Sequence, residues 1–194
     1  MVNATLENYV TPVEKLGCLD YLGLPTDGIQ QISKINDYDG LIAYFKDFGE
    51  KATDFKPTIP TLPKKYMNRI NKLYLDAIAN PNNVGKLVLY GQWLVNPAVD
   101  VKTAFKVFSR VLGLNPKEPY SHHHLGQILL DSGLYDQAGL LLNEGLYLEA
   151  SDKLHEDIHG LLFILGDKQN DDGLMNRHSI DKHNYFECPL RLTG

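Results

Sequence analysis

The sequence predicts an all-α protein of antiparallel helical hairpins stacked side by side, with a helical N-terminal lead-in and an irregular C-terminal tail. Three observations carry this. First, residue types recur at a fixed period: Ile70, Ala104 and Ala138, then Tyr74, Phe108 and Leu142, then Ala77, Val111 and Gly145 each advance by 34, while Gly91, Gly126 and Gly160 advance by 35 and then 34. Second, the apolar residues inside each period follow helical spacing. Third, Asn80-Pro81, Asn96-Pro97, Asn115-Pro116 and Ser132-Gly133 interrupt that spacing at short intervals. A unit of this length is a pair of helices that cannot bury its apolar face without its neighbours.

Residues 1–55 read as the lead-in. Thr11-Pro12-Val13-Glu14 has a cap residue, a proline at the first helical position and a glutamate placed for a capping box, which predicts a helix from Pro12 to about Tyr21. Gly23 and Pro25 end it. Thr26-Asp27 caps a short helix over Ile29 to Ile35, and Asp37 or Asp39 caps another with Leu41, Ile42, Tyr44, Phe45 and Phe48 on a broad apolar face. Residues 56–63, KPTIPTLP, form a stiff connector: three prolines remove backbone donors and push the residues before them toward extended backbone. It serves either as a strap on the surface or as a linker of polyproline type.

The array is expected over residues 64–166. Its helices run from Pro63 to Ala79, Val84 to Leu94, Val101 to Leu112, Tyr120 to Leu130, Tyr135 to Leu148 and Lys153 to Leu165, the last ending at Gly166. These make two complete hairpins flanked by half-hairpins. Residues 167–194 turn polar and irregular. The end of the array then presents Leu161, Phe163, Ile164 and Leu165, to be covered either by the tail folding back through Tyr185, Phe186, Leu190 and Leu192 or by a partner subunit.

Composition narrows the function. A chain of 194 residues, 43% apolar, buries roughly 70% of its unfolded surface in one domain or one array. The net charge of −5 gives no long-range positive field, so neither nucleic acid nor an acidic membrane is an expected partner. Cys18 and Cys188 lie far apart without a CxxC pattern, and no disulfide is required. The start of the chain has neither a basic region nor a signal-length apolar run, and no stretch of membrane-spanning length occurs. Cytoplasmic residence is the expectation, or an organelle interior where a transit segment has been removed. Asn3-Ala4-Thr5 matches a glycosylation acceptor, which matters only in a secreted protein.

The repeat resembles the tetratricopeptide family, whose unit is a 34-residue pair of antiparallel helices. The match is fullest from Pro119 to Ala150: Leu125-Gly126 in the first helix, Gly133 in the turn, Tyr135 and Ala138 opening the second helix, Leu142 and Gly145 later in it. The preceding unit offers Tyr90-Gly91, Ala104, Phe108, Val111 and Pro116, with one extra residue in its turn. Leu87 and His122 replace the family's tryptophan, and Ala150 its terminal proline. On size grounds Gly126 and Ala138 are expected where the helices of a hairpin cross, and Phe108 and Leu142 in the wider gap to the next hairpin.

The resemblance implies a short solenoid whose concave groove receives an extended peptide or a partner's helix. It places Gln92, Val95 and Asn96 of one unit near that groove, Tyr120, His123, Gln127, Leu130 and Asp131 of the next, and Asp157 and Leu161 of the last. The subset of the family that clamps chaperone tails uses lysine, asparagine and arginine where this chain has Val88, Gln92, His123, His124 and Ile158. That activity is not expected. The amide, imidazole and apolar lining suits a neutral or basic segment.

Three histidine groups invite a chemical reading. His122, His123 and His124 point about 100° apart on a helix, which suits packing better than a metal. His155-Glu156-Asp157-Ile158-His159 resembles the HExxH motif of zinc proteases, with both histidines on one helix face and Glu156 in the base position, and with His178 or His183 as loose candidates for a third ligand. His178, His183 and Cys188 are spaced by five residues and lack a dense cluster. Lys102, Lys106 and Arg110, with Lys64, Lys65, Arg69 and Lys72, read as a solvated face or as a ridge for an acidic patch on a neighbouring subunit.

The function these features predict is non-catalytic. The chain is expected to act as a protein–protein interaction scaffold: an adaptor, an assembly factor or an accessory subunit of a larger complex, without cofactor or metal, and anchored by Tyr120, Leu130 and Leu161. The alternatives are a zinc-dependent hydrolase using the HEDIH segment, and a peptide-binding regulatory module.

Overall fold

The computed structural model describes residues 26–179 except 53, 59–62, 97 and 99. These fold into helices α1 (Thr26–Ile32), α2 (Tyr38–Lys51), α3 (Lys64–Ala79), α4 (Val84–Val95), α5 (Val101–Leu114), α6 (Pro119–Asp131), α7 (Tyr135–Gly145), α8 (Asp152–Gln169) and α9 (Asp172–Arg177). There is no strand among the described residues.

Local chemistry sets the boundaries. Asp37, Asn83, Asp100, Glu118, Ser151 and Asp171 each accept a hydrogen bond from a backbone N–H in the first turn of α2, α4, α5, α6, α8 and α9, satisfying donors that a helix start leaves open. Of the two candidate caps for α2, Asp37 takes the role, with Gly40 N donating at 2.7 Å. Between α6 and α7 the chain reverses at Gly133, at φ 75°.

Three helices differ from expectation. Thr26 and Asp27 lie inside α1 rather than capping it, and α1 stops at Ile32, short of Ile35, where the N–H groups of Lys34 and Ile35 bond carbonyls three residues back. The α7 helix stops at Gly145 because the N–H groups of Leu146, Tyr147 and Leu148 bond carbonyls three residues back, tightening into a turn. The α8 helix runs through Gly166 to Gln169 and ends at Asn170, whose left-handed backbone at φ 55° closes it. Gly166 is a packing site rather than a stop: a Cβ there would stand 2.8 Å from Met175 Cγ and 2.9 Å from its backbone nitrogen. Part of the segment expected to be irregular is therefore ordered as α9 against α8, with Leu174 buried.

The helices pack in succession. α4 with α5 and α6 with α7 form antiparallel hairpins, α3 packs on α4, α5 on α6, α7 on α8, and α9 on α8. The first helices of successive hairpins also touch, α4 to α6 and α6 to α8, so they lie side by side. One continuous apolar core runs through them, including Leu87, Tyr90, Phe105, Phe108, Leu125, Leu142, Ile158 and Leu162.

The repeated glycines explain how closely each hairpin is drawn. A Cβ on Gly91 would lie 2.6 Å from the Phe108 ring, and one on Gly126 would lie 2.6 Å from Leu142 Cδ2. Phe108 and Leu142 therefore fill the crossing inside their own hairpins, where the expectation had them in the gap to the next. The glycine is the socket and the large residue the plug, which is why both recur at the same period.

The lead-in docks through α2, which packs on α5 and also reaches α7. Its Gly49 lies against the α5 backbone: an added Cβ would stand 2.6 Å from the backbone N and Cα of Arg110. On the other helix, a Cβ on Gly113 would approach Lys46 Cα at 3.2 Å. Phe45 and Phe48 meet Phe105 edge to face at centroid distances of 5.8 and 5.3 Å.

The described start of the connector, residues 56–58, lies as a strap against α5. Asp100 caps α5 through Oδ1, while its Oδ2 accepts from Thr58 N at 2.7 Å and Thr58 Oγ1 at 3.1 Å. Tyr90 donates its hydroxyl proton to the Phe55 carbonyl at 2.6 Å, and burial raises the pKa of that phenol. The predicted helix over Pro12–Tyr21, both cysteines, the Asn3 triplet, His183 and the apolar tail residues from Tyr185 to Leu192 lie outside the described residues.

Candidate partner-binding face

The side-by-side packing of α4, α6 and α8 gives their outward residues one common face. On α4, Gln92 is half-buried and Asn96 exposed; on α6, His123 and Gln127 are half-buried and Tyr120 and Asp131 exposed; on α8, Asp157 is half-buried. Three residues expected here belong to the core instead. Leu130 is 6% exposed, Leu161 8% and Val95 8%, so they hold the helices together and present little surface to a partner. Of the three expected anchors only Tyr120 is exposed.

The electrostatics of the face are acidic and amide-rich. Burial lowers the pKa of His123, opposed by Asp157 across the face, so the ring is neutral near pH 7. The neighbouring His124 stacks on Phe108 at 4.9 Å, and its pKa is lowered to about 3 by burial first and His123 second. Asp131, at the C-terminal end of α6, has its carboxyl pushed up to about 6 by desolvation, with Lys168 pulling it down.

His122 is the third of the run and takes a different path. It is fully buried, stacks on Tyr38 at 5.8 Å, and bonds both Tyr38 Oη at 2.7 Å and the Glu118 carbonyl at 2.9 Å. The three rings thus divide as their helical directions dictate, to the lead-in, the outer face and the preceding hairpin.

The two histidines of the HEDIH segment have separate partners among the described residues. His155 Nε2 donates to the Leu148 carbonyl at 3.0 Å, and His159 Nδ1 faces His178 Nδ1 at 2.8 Å. Among the described residues no group of three or more His, Cys, Asp and Glu side chains is arranged to hold a metal ion.

Sequence reading missed a second surface, on α3 and α4. Arg69 lies over the Trp93 ring at 5.7 Å, Lys65 over Tyr66 at 4.7 Å, and the two rings approach at 6.3 Å. Leu75, Ile78 and Leu89 are exposed at 59, 44 and 38%. The available signal is Tyr66 among the basic residues of α3, with Trp93 on the neighbouring α4.

No family model, curated protein or solved structure matches the chain. Among the described residues, no helix is long and apolar enough to cross a membrane.

Proposed function

We propose that this protein is a non-catalytic binding scaffold, an adaptor, assembly factor or accessory subunit, which receives a protein segment on the common face of α4, α6 and α8. The observation that carries the reading is that face itself. Three first helices lie side by side and present Gln92, Asn96, Tyr120, His123, Gln127, Asp131 and Asp157 outward while their apolar residues are consumed in the core. The 34-residue recurrence, resembling tetratricopeptide repeats, supports the same use of the surface.

The chemistry of the face sets the ligand class. It carries carboxylates, amides and a neutral imidazole, and no lysine or arginine among the residues just named, so it favours a neutral or basic segment over an acidic one. Amides at Gln92, Asn96 and Gln127 suit backbone recognition of an extended chain, each able to donate and accept.

Affinity capture with cross-link mapping identifies the partner and the contacted face together. Tyr120→Ala with Gln127→Ala is expected to weaken capture of that partner at least tenfold while the melting temperature stays near that of the parent. Unchanged affinity, or cross-links confined to other helices, overturns the assignment.

A further inference from the structure

The array is electrically polarised along its length. Between residues 64 and 116 eight Lys and Arg stand against Asp76 and Asp100 alone, whereas between 117 and 179 four Lys and Arg stand against eleven Asp and Glu. Little of this is neutralised internally: among the described residues, the pairs within 4.0 Å are Lys51–Asp47 and Lys86–Asp76. The net charge of −5 for the whole chain conceals two ends of opposite sign.

Each end also shows a face open to a helix. Among the described helices, the substantial packing of α3 is on α4 alone. Its outer stripe, Lys64, Asn68, Asn71, Leu75 and Ile78, is exposed throughout at helical spacing, bordered by Lys72. At the other end, Glu156, Ile164 and Asp167 are exposed on one face of α8 around the cation Lys153, with Ile164 40% exposed, and Asp171 and Asp172 follow, so that this end is acidic on balance.

The repeat register makes the two ends counterparts. Ile70, Tyr74 and Ala77 put α3 in phase with α5 and α7, the second helices of their hairpins, and Gly160 puts α8 in phase with α4 and α6, the first helices. Among the described residues, the array thus begins on a second helix and ends on a first helix that is followed by the six-residue α9. Each end has the half that the other end calls for.

We propose that a second copy of this chain is the occupant: the basic outer face of α3 in one copy docks on the acidic α8–α9 end of the next. The apolar centres, Leu75 and Ile78 against Ile164, supply area, and the flanking charges set orientation and exclude the like ends. The contact is heterologous, so it propagates as an open chain of copies unless the rotation closes a ring. This inference rests on reading the protein as a binding scaffold, but it uses the ends of the array and not the common face.

Sedimentation velocity on the full chain tests it. At about 50 mM salt the weight-average mass is expected to rise with concentration above that of one chain, 21.9 kDa, and to return to it near 0.5 M salt as screening shortens the reach of the charges. Lys64→Glu with Lys72→Glu, and separately Glu156→Lys with Asp167→Lys, should each abolish assembly, and mixing the two variants should restore it. A single-chain mass at every concentration in low salt overturns the proposal, as it would if residues 180–194 of the same copy cover α8. So does assembly that ignores both reversals. A monomer whose common-face variants still lose their partner sinks self-association alone; a salt-sensitive assembly whose common-face variants bind normally sinks the other reading.

Discussion

Tyr38 and His122 share one proton arrangement across the joint between the lead-in and the hairpins. His122 Nδ1 lies 2.9 Å from the Glu118 carbonyl, which can only accept, so the neutral ring carries its proton there and offers Nε2 to the Tyr38 hydroxyl at 2.7 Å. The Pro116 carbonyl, 3.1 Å from the same hydroxyl, competes for that single proton. Burial pushes the Tyr38 phenol up to about 12, with Glu144 and Asp39 adding to it, which keeps the hydroxyl a donor.

Tyr38→Phe is expected to destabilise the fold by about 1–3 kcal/mol, because it leaves a fully buried imidazole nitrogen without a partner while changing little volume. Chemical denaturation measures it. A loss below about 0.5 kcal/mol would show that the bond is not what fixes α2 to the array.

Acid should loosen the protein through its buried histidines. His122 and His124 have pKa values depressed by burial, so the folded state holds both rings neutral below the unfolded value of about 6.5. The unfolded chain then binds protons that the folded one refuses. Their contribution is complete above about 6.5 and is lost progressively as pH falls below it. The denaturation midpoint is expected to drop steadily from pH 7 to pH 5; a flat profile over that range contradicts the burial of these rings.

The array was legible because its information is periodic: Gly91 with Phe108, and Gly126 with Leu142, repeat one physical device, and repetition exposes it. The gap each large residue fills was misjudged, since spacing places a residue on a helix face but does not say which neighbour that face meets. The docking of α2 was illegible for a related reason. Gly49 meets the Arg110 backbone once only, between segments some sixty residues apart, and a single glycine in a helix has no distinguishing pattern. Leu130 and Leu161 were mistaken for surface anchors because a residue one position around a helix passes from face to core.

Gly49→Ala should destabilise despite the better helix propensity of alanine. The propensity gain is roughly 1 kcal/mol, but the new Cβ meets backbone at 2.6 Å, which cannot rotate away, and parting α2 from α5 disturbs the aromatic contacts beside it. We expect a net loss of about 1–3 kcal/mol. Gly85→Ala is the control: its Cβ has only Asn83 Oδ1 at 3.6 Å, and stability should hold or rise. Equal effects at the two sites would refute the close crossing.

Asp100 ties the strap to α5, so Asp100→Ala removes the cap and both acceptors for Thr58 together. Loss of about 1–2 kcal/mol is expected from the cap alone. The strap should also become accessible to protease between Phe55 and Thr58, while Thr58→Ala, which keeps the cap and the backbone bond, should leave it protected. Cleavage of both variants at the same rate would mean that the strap is held by something other than Asp100.

The socket and plug at Gly126 and Leu142 predict coupling rather than simple loss. Gly126→Ala places a Cβ 2.6 Å from Leu142 Cδ2, a side-chain end that can shift only into neighbouring core, so the single substitution should destabilise by about 1–3 kcal/mol. Leu142→Val alone removes a methylene from a fully buried site and should cost about 1 kcal/mol. Combined, the shorter side chain makes room for the added methyl, and the double variant should be more stable than the sum of the two losses implies by at least about 0.5 kcal/mol. Additive losses in that cycle would show that the glycine answers to something other than its partner in the hairpin.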